Sequence, residues 1–167
     1  MLSRRTFLVG SAGALLVPWR SAGAATLPAA TVSALESSPH VYVSPLKSDG
    51  SESRCHGEVW YGWPDGKAVV TTSAERWKAR ALAGGLDGAR IWVGDYGPWK
   101  RMGLANDAFR KGPSFDARAA KIDDPAVLER LMQTFHKKYP AEIGKWEAKM
   151  RKGFETGERI LIGYTPV

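Results

Sequence analysis

The residues of this chain best suited to chemistry gather in Lys67 to Leu82, KAVVTTSAERWKARAL. Ala68-Val69-Val70 is an apolar, partly β-branched run that reads as a buried strand, and three hydroxyls follow it at Thr71, Thr72 and Ser73. Ser73 then serves as N-cap of a helix starting at Ala74, with Glu75 in its first turn and Arg76, Lys78 and Arg80 beyond. Hydroxyls at a strand end, free helix N–H groups and nearby cations make an anion site, and phosphate is the obvious anion. The same residues also describe a capped amphipathic helix with a solvated basic face, Trp77, Ala81 and Leu82 packing inward. Local chemistry leaves both readings open.

No other constellation competes. Cys55 and His56 are neighbours on an extended segment, so their side chains point to opposite faces and do not converge on one atom. His40, His56 and His136 lack metal-ligand spacing, and no metal is expected. Cys55 has no base beside it and no source of a lowered pKa, so it reads as a small buried thiol rather than a nucleophile. It is the only cysteine, which excludes an internal disulfide. Glycine-rich phosphate loops and serine-hydrolase elbows are absent from the sequence.

The elements that position these groups begin only after residue 25. Residues 1–25, MLSRRTFLVGSAGALLVPWRSAGAA, read as an export signal: Arg4 and Arg5 start it, Phe7 to Val17 supply an apolar region, and Ser21 to Ala25 offer small residues for cleavage. The apolar stretch is shorter than the ~20 residues a spanning helix needs, so no stable membrane span is expected. Ser3-Arg4-Arg5-Thr6-Phe7-Leu8 closely resembles the twin-arginine signal. That resemblance implies passage through the twin-arginine machinery as a folded protein, cofactor inside, to a periplasmic or secreted destination. Removing 25 of 167 residues leaves 142, the size of one domain with a real core. The signal holds Arg4, Arg5 and Arg20 and no acid, so its loss takes the net charge from +7 to +4. So mild a charge suits small anions and makes no case for a nucleic-acid partner.

Residues 26–39, rich in Ala, Ser and Thr with two prolines, read as a linker, and 40–167 as the domain. His40 to Lys47 is a first strand, Ser48-Asp49-Gly50-Ser51 a turn, and Glu52 to Trp63 the return strand, with Arg54, His56, Glu58 and Trp60 on one face and Cys55, Val59 and Tyr61 on the other. Pro64-Asp65-Gly66 turns the chain into the opening stretch, and the three consecutive strands predict a meander. Ala89 to Asp95 is a fourth strand; Tyr96 to Pro113 is irregular, with a short helix around Leu104 to Arg110; Ser114 to Ile122 is a fifth strand. Asp123-Asp124-Pro125 opens a helix with an inward stripe of Leu128, Leu131, Met132, Phe135 and Tyr139, and Pro140 ends it. Ile143, Trp146, Met150 and Phe154 repeat that spacing, and Gly157 to Pro166 is a closing strand apolar enough for the middle of the sheet.

Taken in this order, Val41-Tyr42-Val43 with Asp49-Gly50, Val59-Trp60-Tyr61, Asp65-Gly66-Lys67, Thr72-Ser73, Trp77-Lys78 and Ala89-Arg90-Ile91 resemble the flavin-binding split barrel of the pyridoxamine-phosphate-oxidase-like superfamily. The resemblance covers Val41 to Val93, and beyond Asp95 it holds only in outline. It implies a mainly β (α+β) fold, a six-stranded, mostly antiparallel split β-barrel with flanking helices, forming a homodimer with FMN in a groove at the interface. Carried over to this chain, it implies that Arg54, Thr72, Ser73 and Lys78 hold the phosphate and that Trp60, Tyr61 and Thr71 flank the ring system. The implied activity is flavin-dependent oxidoreduction of a small-molecule substrate. No catalytic residue is assigned, because flavin chemistry in this superfamily often needs none that sequence reveals. The alternative is a non-catalytic binding module that keeps the barrel for a deazaflavin, haem or a small aromatic molecule.

Overall fold

The computed structural model describes residues 25–98, 100–101 and 104–167, so the export signal lies, except for Ala25, outside the described residues. Helix α1 (Ala29–Ser37) precedes a hairpin of β1 (Val41–Pro45) and β2 (Gly57–Val59). β3 (Ala68–Ser73), α2 (Trp77–Ala83) and β4 (Gly88–Val93) follow. A small hairpin, β5 (Lys100–Arg101) and β6 (Leu104–Ala105), and a 3₁₀ turn at Ala108–Lys111 lead to β7 (Ser114–Ile122). Helices α3 (Pro125–Lys138) and α4 (Glu147–Glu155) then deliver the chain to β8 (Arg159–Pro166).

Six strands form one antiparallel sheet in the order β2-β1-β4-β7-β8-β3, which curls into a nearly closed barrel. β8 occupies an inner position between β7 and β3, as its apolar run requires. The expected meander does not form: β3 pairs with β8 along its whole length and meets the chain after β2 only through Gly62 and Val69. β2 is also shorter than expected, since Glu52 and Gly62 make single bridges on either side of Gly57–Val59. The helical turn in the irregular stretch falls at Ala108–Lys111, with strand at Leu104–Ala105 where helix was expected.

Alternation along the strands builds two apolar layers. Val41, Val43, Tyr61, Val70, Ile91, Val93, Ile162 and Tyr164 fill the barrel, while Val69 and Leu161 on the other face pack under the α3 stripe of Leu128, Leu131, Met132 and Phe135. α3 starts as its sequence requires, with the Asp124 carboxylate accepting from Ala126 N at 2.8 Å and Pro125 in the first turn. Trp146 leaves the expected stripe and is 48% exposed, because it sits at the join of a 3₁₀ turn and α4, where helical spacing is interrupted. The segment read as a linker contains α1, whose Leu35 is 1% exposed inside the barrel core. The buried Tyr61 hydroxyl latches this helix by donating to Leu35 O at 2.6 Å.

Candidate functional site

Where β2 and β3 part, the barrel wall opens. Gly62 and Val69 exchange both backbone hydrogen bonds at 2.9 Å. Because ladder groups alternate direction along a strand, Thr71 and Ser73 turn their backbone N–H and C=O the same way as Val69, toward a β2 that has diverged. A cleft of about 1090 Å³ fills the opening, walled by residues 55–59 on one side and Thr71, Thr72 and Ser73 on the other. Trp77 and Lys78 from α2, Lys149 from α4, Pro98 and Arg159 complete it.

Of the four cations that line this opening without an acidic partner among the described residues, Arg76 and Lys149 are exposed, whereas Lys78 and Arg159 are partly buried. Lys78 makes no hydrogen bond or ion pair among the described residues, and its ammonium lies where a β-carbon on Gly57 would stand, 2.9 Å from Nζ. Burial first, and the Arg76 charge second, hold that amine below the usual lysine range, with Cys55 pulling the other way. Arg159 sits opposite Ser73 in the β3–β8 register and leans over β3, donating from Nε to Thr71 Oγ1 at 3.2 Å and from Nη2 to Thr71 O at 3.3 Å. Burial lowers its pKa as well. Its stem rests on Gly153 in α4, where a β-carbon would come 2.6 Å from Cγ. Glycine in a helix interior costs ~1 kcal/mol relative to alanine, so the position favours Arg159 over the helix.

The sequence-derived site is partly assembled here. Thr71, Thr72, Ser73 and Lys78 line the cleft together. Arg54 is exposed and lines an adjoining pocket of about 480 Å³, which shares Cys55 and Trp77 with the main cleft. Trp60 and Tyr61 do not face it: Trp60 stacks on Tyr139 with ring centroids 4.2 Å apart, and Tyr61 is 0% exposed in the barrel core. Both faces of their segment are covered, one by the barrel interior and one by α3, so neither ring is left for a ligand. Ser73 does not cap a helix from Ala74; α2 begins three residues later at Trp77, and Ser73 Oγ accepts from Glu75 N within the intervening turn. With α2 only seven residues long, the cations and hydroxyls carry the site rather than the helix terminus. Cys55 is exposed, not buried, because the strand it was assigned to begins only at Gly57.

Sequence reasoning missed Arg159, which no local pattern links to residues 71–73; only strand pairing brings it there. It also missed Trp77 as a cleft residue, having read it as core; it is 44% exposed. His56 reaches the cleft with both ring nitrogens engaged, Nδ1 with Ser44 Oγ at 2.7 Å and Nε2 with Arg110 Nη2 at 3.3 Å. Burial and then the Arg110 charge lower its pKa, against Glu52 and Asp107. Among the described residues no cluster of three or more His, Cys, Asp or Glu side chains could hold a metal ion, and no helix is long and apolar enough to cross a membrane.

No family model and no curated protein matches the sequence. Solved structures do match. A conserved hypothetical protein of Mycobacterium tuberculosis superposes with a TM-score of 0.57 at 18% identity, over 87% of this chain and 83% of its own. HutZ, the haem storage protein from Vibrio cholerae, gives 0.53 at 10% identity over 82% and 87%. A putative pyridoxamine 5'-phosphate oxidase from Listeria innocua gives 0.51 at 11% identity over 81% and 90%. The fold is the split barrel. Relatives with this fold divide between oxidase and haem-storage names, so the fold leaves the ligand to be argued from the cleft.

Proposed function

We propose that the cleft binds FMN and that the protein is an exported flavin-dependent oxidoreductase acting on a small molecule. The observation that carries this reading is Lys78, an ammonium held in the cleft without an acidic partner, beside the hydroxyls of Thr72 and Ser73. A desolvated cation with no counter-charge is a standing cost that an anionic ligand removes. Lys78 holds the phosphate as a point charge and the hydroxyls of Thr72 and Ser73 donate to it. The wall of Val59 and Trp77 offers apolar and aromatic surface to the ring system, the role expected of Trp60 and Tyr61. Thr71, on the same strand edge, flanks the ring system in this reading, and Arg54 adds positive charge from the adjoining pocket. When bound, the flavin supplies the electron chemistry, and these residues anchor it, orient it and shed water from its ring. A second copy of the chain covers the open side of the cleft, and loading precedes export through the twin-arginine route to the periplasm.

The second reading is a binding module, in which the same cleft takes a deazaflavin, haem or a small aromatic molecule. The split barrel of a haem storage protein favours it. Haem fits the cleft less well, since the one histidine among the cleft's described lining residues has both ring nitrogens engaged. The test is the absorption spectrum of protein purified from its native host. Flavin bands, or their appearance with added FMN, are expected; no flavin band and no uptake of FMN would remove the reading, and a haem Soret band would replace it with the second.

A further inference from the structure

We infer that Arg159 and Lys78 form a two-cation clamp that closes on one tetrahedral oxyanion, a phosphate monoester group, from opposite sides of the split in the barrel. This deepens the FMN reading and rests on it for the identity of the whole ligand, but the clamp is argued from its own geometry. Half-buried arginines elsewhere in this protein are matched with acids: Arg90 with Asp116, Arg110 with Glu52, Arg151 with Glu129. Arg159 spends Nε and Nη2 on neutral Thr71 oxygens, and its Nη1 makes no hydrogen bond among the described residues. A guanidinium has five N–H donors, so the fork of this cleft-lining residue keeps donors that no described residue takes.

Each cation also has a glycine beneath it. A β-carbon on Gly57 would displace the Lys78 ammonium, and one on Gly153 would displace the Arg159 stem. The two seats come from β2 and α4, and Ser73 lines the same cleft as both cations: Arg159 is its direct partner across the ladder, and Lys78 follows five residues on. The acids nearest in the cleft do not close either charge. Glu58 faces His40 at 3.6 Å, while Glu75 and Glu158 are exposed and make no ion pair among the described residues. A planar fork and a point charge on one phosphate is the combination in which arginine supplies direction and lysine strength.

The probe is inorganic phosphate in the millimolar range, read as the rise in thermal midpoint against sodium chloride of matched ionic strength. Wild type should be stabilised by phosphate beyond the chloride control. Arg159→Ala and Lys78→Ala should each weaken phosphate binding by about tenfold or more, and the double variant should show no phosphate-specific rise. Gly153→Ala tests the seat without removing the charge: the added methyl must push the Arg159 stem aside, so the phosphate-induced rise should shrink. It also keeps the test decisive if Arg159→Ala does not fold. No phosphate-specific rise in wild type, or a rise undiminished by Arg159→Ala and Gly153→Ala, would overturn the clamp; half the rise lost in each single variant would mean two separate ions and overturn it too. FMN titrations separate the two readings. Phosphate bound through Arg159 without FMN uptake removes the flavin and keeps the clamp, whereas tight FMN binding unchanged in Arg159→Ala does the reverse.

Discussion

β3 has two edges, and they have been built for opposite purposes. Along β8 it makes six consecutive pairs, from Ala68 with Tyr164 to Ser73 with Arg159, and Val69, Val70, Leu161 and Ile162 on that seam are 0% exposed. Toward the chain that leaves β2 it makes one bridge, at Gly62 and Val69, and then the wall parts over glycine, hydroxyls and unpaired cations. Pairing satisfies the backbone along this edge, while the barrel interior and α3 cover the two faces of the paired strands and select apolar side chains on each. Leaving an edge open removes that demand, and polar groups that would be costly in a closed wall become available to a ligand. The tightest packing and the proposed binding site therefore occupy opposite edges of a single strand.

The comparison breaks hardest at the closed seam. Ile162→Ala removes most of a fully buried side chain and should cost about 2–5 kcal/mol in urea unfolding. FMN affinity of the protein that remains folded should be unchanged; a parallel loss of affinity would mean that the two edges are not independent. At the open edge the effects reverse. Lys78→Ala should remove a charge-assisted contact worth roughly 1.5–3 kcal/mol, or about tenfold or more in FMN affinity, and leave the unfolding midpoint no lower. Arg80→Ala, exposed and outside the cleft, is the control for net charge, and equal losses in the two titrations would reduce the helix to a solvated basic face.

A smaller effect sharpens the contrast from a third position. Lys138 packs its ammonium on the Tyr61 ring, 3.6 Å from the centroid, and burial pushes its amine down to about 8. In the unfolded chain that amine titrates near ~10.4. Between those values the unfolded chain holds more protons than the folded one, so stability gains from this group as pH rises through the window. Below about pH 8 both states are charged and the penalty is complete. Lys138→Met should thus be the more stable protein at pH 7 and lose that advantage by about pH 10. The amine is partly exposed, so the gain should be a fraction of the ~1.4 kcal/mol per pKa unit that linkage allows. A pH-independent difference between the two proteins would contradict it. Smallest of all, Arg151→Ala on the exposed α3–α4 bridge to Glu129 and Glu147 should cost less than ~1 kcal/mol in the same unfolding assay.

The strands were legible because their turns are written in residues with one physical use: Gly50 and Gly66 take positive φ at the expected places, and Asp124-Pro125 caps α3 as read. The stripe on α3 was legible for the same reason, since 3.6-residue spacing admits one buried face. Thr71, Thr72, Ser73 and Lys78 could be picked as one site because they are close in the chain. Arg159 could not, because it joins them only through ladder pairing over 80 residues away, and pairing partners are set by the whole sheet. Trp60 and Tyr61 misled for a related reason. Alternation correctly puts them on opposite faces, but which faces are covered depends on where α3 lands. α1 was hidden by its composition: Ala, Ser and Thr advertise no apolar stripe, and Leu35 is the one large apolar side chain it sends into the core, beside the small Thr31 and Ala34.

The most direct test of the open edge as a phosphate-directed site is a paired titration of wild-type protein with FMN and with riboflavin, followed by quenching of tryptophan emission. The two ligands share a ring and differ in the phosphate. If Lys78, Ser73 and Thr72 hold that phosphate, FMN should bind about tenfold or more tightly than riboflavin, and the gap should narrow in Lys78→Ala. Equal affinities for the two ligands, or binding of neither, would contradict the account.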